Sequence, residues 1–153
     1  MKEGLLRAWS LHNNNNLLLL QYLDETLLLV KPAAKGRTIG EQLVHLHNTR
    51  ITWTEFVAKA VYDKNLLIDK ATLQSTRQLT EAFSRSAGKI EEVIHISWEK
   101  EGKLSSFKSG LIPFVSYLIS HESHHRGNIL LTLRQNGTRL PDELKWGLWE
   151  WGK

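Results

Sequence analysis

The chain has no cysteine, only three prolines and a single methionine. Without thiols it forms no disulfide, no thiolate zinc site and no cysteine nucleophile, so a bound metal would have to draw on His, Asp or Glu. No apolar run exceeds four residues, as at Leu17–Leu20, far short of the ~20 that a membrane-spanning helix needs. The opening Met1–Gly4 is not a basic segment followed by a long apolar stretch, which leads to the expectation of a cytoplasmic, unprocessed protein with no membrane partner. Lys and Arg exceed Asp and Glu by 20 to 16, for a net charge of +4. No like-charged run reaches five residues, so nothing here calls for a nucleic-acid partner. Strict apolar–polar alternation of strand length is also absent.

What remains reads as helices. A chain of 153 residues, 41% hydrophobic and 24% charged, has enough apolar material for one core, and residues 1–153 are read as a single domain. A first helical segment is expected from Glu3 to Val30, with Leu5, Leu6, Trp9, Leu20, Leu23, Leu27 and Val30 at helical spacing. The polar run His12–Asn16 interrupts that pattern. Its four asparagines are poor helix formers, so a local irregularity or surface insertion is expected there. The linker Lys31–Arg37 leads into Thr38-Ile39-Gly40-Glu41, a capping-box pattern that opens a second helix running to about Val61. A third is expected over Thr72–Ile94. After a long connection from Ser97 to Gly110, a fourth opens near Pro113 and runs to Asn136, where Gly137 supplies the stop. Pro141–Lys153 carries Trp146, Trp149 and Trp151 and is expected to pack across the bundle as a short lid. Four long amphipathic helices bury their stripes most simply as an all-α four-helix bundle.

The histidines carry the chemistry. Three of the seven fall in His121-Glu122-Ser123-His124-His125, inside the fourth helix. His121 and His125 stand about 40° apart on a helical wheel, where two imidazoles can share one metal. A third ligand must come from another helix. His45 and His47 in the second helix both lie roughly 100° from the centre of its apolar stripe, on opposite flanks, so periodicity leaves the choice between them open. His12 and His95 read as surface histidines, His124 as exposed, and Arg126 as a solvated cation. Arg50 falls near the apolar stripe and needs a partner, for which Glu122 or Glu41 is available unless it faces a substrate carboxylate.

The segments Thr38-Ile39-Gly40-Glu41-Gln42-Leu43-Val44-His45-Leu46 and His121-Glu122-Ser123-His124-His125-Arg126-Gly127-Asn128-Ile129 resemble the two hallmark regions of the DinB/YfiT-like superfamily. The resemblance spans most of the chain. It implies a four-helix bundle with a long crossover connection, and a metal site formed by His45, His121 and His125, favouring His45 over His47. Asn128 stands where many relatives carry Gln. The cofactor implied is a divalent ion, zinc or nickel, with iron and manganese compatible with the same ligands. The activity implied is that of a metal-dependent transferase using a low-molecular-weight thiol such as bacillithiol or mycothiol, or of a hydrolase, acting on a small-molecule substrate. The lack of cysteine fits, since the cosubstrate would bring the thiol. Glu41 and Glu122 lie near the candidate ligands, although spacing assigns neither as a base. The alternative is a non-catalytic metal-binding or stress-related interaction protein, dimeric through a helix face.

Overall fold

A computed structural model describes residues 1–32 and 35–152. Ala33 and Ala34 of the expected linker, and Lys153 at the end of the expected lid, lie outside the described residues. Among the described residues six α-helices follow one another: α1 (Lys2–Gln21), α2 (Glu25–Leu28), α3 (Ile39–Val57), α4 (Thr76–Trp98), α5 (Leu111–Gln135) and α6 (Asp142–Gly147). Among the described residues there is no strand. The four long helices α1, α3, α4 and α5 form the bundle.

The helix ends follow local chemistry. Thr38 accepts a hydrogen bond from the Glu41 N–H at 3.1 Å, and Glu41 accepts one from the Thr38 N–H at 2.7 Å, so the capping box opens α3 where the sequence places it. A second box, Ser75 with Gln78, starts α4 four residues later than expected from periodicity. At the end of α5, Gly137 has φ 79°, and the Thr138 N–H reaches the Leu133 carbonyl while the Gly137 N–H reaches that of Arg134. That pair of bonds is a Schellman stop, which requires a left-handed residue.

Two expectations about α1 need correction. The helix runs unbroken through the asparagines and ends instead at Tyr22–Asp24, where the Asp24 side chain caps α2. The run is no surface insertion either, since Asn13, Asn15 and Asn16 are buried. Low helix propensity is overridden because these amides meet partners inside the bundle.

Contacts fix the helix directions. α1 opposes α4, with Lys2 on Glu99 at one end and Glu25 of α2, just past the end of α1, on Thr76 at the other. α3 also opposes α5, with Gln42 beside His125 and Trp53 beside Phe114. α3 and α4, in contrast, run the same way: His47 borders Ala82, Arg50 reaches Phe83 and Ser86, and Val57 packs in one cluster with Ile90. Parallel neighbours cannot be joined by a tight turn, so residues 58–75 cross over the length of the pair, as the resemblance implies. Short 3₁₀ turns at Lys59–Val61 and Lys64–Leu66 stiffen this crossover.

The core has two apolar clusters. One gathers Leu19, Leu20, Leu43, Leu46, Phe83 and Leu133, and the other Trp9, Ile90, Ile94, Phe114 and Leu118. The Arg50 guanidinium lies between them, 4.8 Å from the ring centres of both Trp9 and Phe83. The C-terminal segment departs from the expected lid. Leu140 and Leu144 are its buried anchors, whereas Trp146, Trp149 and Trp151 are exposed. It closes on α1 at Gly147, where an added Cβ would stand 2.7 Å from Leu18 Cδ2.

Candidate metal centre

The antiparallel contact of α3 with α5 brings His45 edge-on against His121 and His125. Ring centres stand 5.4 Å apart for His45–His121, 5.0 Å for His45–His125 and 4.9 Å for His121–His125. One nitrogen of each ring lies within 4.8 Å of the others, a grouping that could hold a metal ion. Neighbours orient two of the rings. Tyr117, one turn before His121, stacks on it at 5.9 Å with 17° between planes. Gln42 presents its side-chain oxygen to His125 Nδ1 at a long 3.4 Å.

All three rings are electrically prepared for a cation. Burial, then the charges of Arg37, His121 and Lys70, holds His45 down at about 4. Burial, with His121 and His45 next, holds His125 at about 4 as well. His121 is lowered chiefly by burial, against the opposing pull of Glu122. Neutral imidazoles with free lone pairs are what a divalent ion requires. The fit has a second sign: His121 Nδ1, like His12 Nδ1 and His47 Nδ1 away from the cluster, is buried and without a hydrogen-bond partner among the described residues. Of the three, only that of His121 belongs to a ring of the cluster, where a bound ion would give it a partner.

The remaining histidines have other places. His47, two residues from His45 and on the opposite flank of α3, is buried with Nε2 2.7 Å from the Leu66 carbonyl, so it ties the crossover to α3. His95 is exposed, as read from the sequence. His124 is also exposed and pairs with Asn128 at 3.1 Å, which keeps the Asn128 departure on the surface. His12, expected at the surface, is instead fully buried with Nε2 2.8 Å from Glu122.

That contact belongs to a buried network that sequence reasoning saw only in part. Glu122 accepts from Arg50 Nε at 2.7 Å and Arg50 Nη2 at 2.6 Å, and from Asn16 at 2.7 Å. Arg50 also donates to Asn13 at 2.8 Å, and Arg126 to Asn16 at 2.7 Å and to Ser123. Arg126 is therefore buried rather than solvated. Of the two partners open to Arg50, the structure selects Glu122, since Glu41 is committed to the cap. Burial alone would raise the Glu122 carboxyl, but the charge and hydrogen bonds of Arg50, with those of His12, hold it well below the usual carboxylate range. Neither Glu122 nor Glu41 is thus free to act as a base at the centre. The network pins α1, α3 and α5 together one residue from His121, with Glu122 turned inward and His121 and His125 turned toward His45.

The stripe Trp9, His12, Asn16, Leu19 in α1 carried a readable signal: polar residues that continue an apolar stripe at helical spacing are inside.

The family model of the DinB family matches residues 1–146 of the chain. Neither a curated protein nor a solved structure matches it.

Proposed function

This chain belongs to the DinB family, and from that premise we propose that His45, His121 and His125 hold one divalent ion in a metal-dependent transferase that uses a low-molecular-weight thiol, or in a hydrolase. The observation that carries the proposal is the meeting of three neutral imidazoles from two helices, within 4.8 Å of one another, beside an open cavity. A divalent ion held by His45, His121 and His125 would supply the Lewis acidity that lowers the pKa of a thiol or water.

The chain's own groups do the rest. Burial keeps His45 and His125 neutral far below pH 7, so protons do not compete for the ligand nitrogens. Gln42 sets the ring of His125, and Tyr117 that of His121. Among the described residues, no Asp or Glu lines the cavity at His45, so no protein carboxylate competes there with an incoming thiolate. With no cysteine in the sequence, the thiol belongs to the cosubstrate. The three imidazoles do not choose between zinc and nickel, and both are expected to bind.

The test is turnover of a panel of electrophiles with bacillithiol, mycothiol, glutathione or water as acceptor. Chelation should abolish turnover and added zinc or nickel restore it. Full turnover by protein shown to be metal-free refutes the mechanism. Stoichiometric metal binding without any turnover across the panel favours the non-catalytic reading.

A further inference from the structure

The crossover does more than connect two parallel helices. Asn48 clasps it with both amide atoms, donating to the Ile68 carbonyl at 2.7 Å and accepting from the Ile68 N–H at 2.9 Å. With the His47–Leu66 contact at 2.7 Å, this fixes residues 66–68 against the face of α3 that carries His45. A cavity of about 750 Å³ is left between them, walled by His45, Trp53, Phe56 and Leu67 and lined by Lys70. Its size lies in the range that small-molecule sites occupy, and its mostly apolar wall with a few polar groups is what such sites share.

The charges around it have one sign. Among the described residues, neither an Asp nor a Glu lines the cavity. Lys70 lines the cavity, and Arg37 lies outside its lining, although the charges of both act on His45. Neither cation has an ion-pair partner among the described residues. Neighbouring Asp69 is turned to the Ala71 N–H at 2.9 Å. Three neutral imidazoles would also leave both charges of a divalent ion uncompensated, so the region favours a negative group. Trp53 continues the apolar wall inward, packing edge-on against Phe107 and Tyr117 at 5.7 and 5.6 Å, and Tyr117 stacks in turn on His121.

We propose that this cavity is the substrate site of the centre and takes a small organic anion with a ring-bearing apolar body, its anionic group at Lys70 and its body on Trp53, Phe56 and Leu67. The inference rests on the metal reading of His45, His121 and His125. It assigns Lys70 to specificity, and it gives His47 and Asn48 the task of building the cavity, by holding the crossover beside the ligand His45.

The experiment uses zinc-loaded protein, with zinc uptake measured first, and two probes of equal shape, 4-phenylbutyrate and 4-phenylbutanamide, followed by calorimetry. The carboxylate should bind at least tenfold more tightly than the amide. Lys70→Gln should cut that preference about fivefold, the size of one close charge interaction in water. Thr52→Trp, which adds an indole beside the cavity from an exposed position, should weaken both probes at least tenfold. Both substituted side chains are exposed, and circular dichroism of each variant verifies the fold. Equal binding of the two probes, binding of neither, an undiminished preference in Lys70→Gln, or full affinity in Thr52→Trp each overturns the assignment while leaving the metal site standing if zinc is bound. Failure to take up zinc overturns the metal reading and this inference with it.

Discussion

Replacing Glu122 with Gln keeps the shape of the side chain and removes its charge, leaving Arg50 inside the bundle without a carboxylate. Arg50 is 0% and Glu122 1% exposed, so water cannot substitute for the lost partner. Breaking a buried, hydrogen-bonded ion pair from one side costs about 3–5 kcal/mol. The Gln oxygen can still accept one bond, which places the expectation near the lower end, about 3 kcal/mol. With a urea slope of ~2 kcal/mol/M, the unfolding midpoint should fall by about 1.5 M. Arg50→Met should cost a similar amount, and the double variant less than the sum by at least ~2 kcal/mol, because the second change removes a charge already stranded by the first. The pH dependence has a definite sign. The folded Glu122 carboxyl titrates well below its ordinary value of 4.5, so its contribution is complete above about pH 4.5 and is lost as pH falls through the folded value. The gap between wild type and Glu122→Gln should therefore narrow below pH 4.5. Half-buried neutral histidines such as His45, held at about 4 against an ordinary 6.5, destabilise both proteins alike as pH falls from 6.5 toward 4. A Glu122→Gln midpoint unchanged at pH 7, or strictly additive single changes, refutes the reasoning.

Other consequences are smaller or more local. Proton competition at His121 should set in below the ordinary histidine value of 6.5, and at His45 and His125 as pH falls through about 4; a zinc titration already losing affinity above pH 6.5 would contradict this. Gly137→Ala forces a side chain into φ 79° and should cost about 1–2 kcal/mol in thermal or urea unfolding. Leu144→Ala should cost about 2–5 kcal/mol. Trp146→Ala and Trp149→Ala, at exposed positions, should each stay within ~0.5 kcal/mol of wild type, and a larger loss at either indole would restore the lid.

Sequence reasoning reached the bundle because capping and periodicity are local properties: the Thr38–Glu41 box and the Gly137 stop lie where the structure has them. It brought His121 and His125 together for the same reason, since i and i+4 share a helix face whatever the fold. The choice between His45 and His47 was different. Both flank the same stripe, and only packing against the crossover turns His47 to Leu66 and leaves His45 open to α5. The Asn13–Asn16 run misled because intrinsic propensity was weighed without the partners that Arg50, Glu122 and Arg126 provide from other helices. Arg126 was misplaced by the same omission. In each case the missing information was a contact between residues far apart in sequence, which no local spacing encodes.

The central claim is that one divalent ion sits on His45, His121 and His125. Its most direct test is the zinc or nickel content per chain, by elemental analysis after loading and dialysis, of wild type, each of the three His→Ala variants, and His95→Ala and His124→Ala as exposed controls. One equivalent is expected in wild type and in both controls, and its loss in each of the three variants. One full equivalent retained in His121→Ala or His125→Ala, or none bound by wild type, contradicts it.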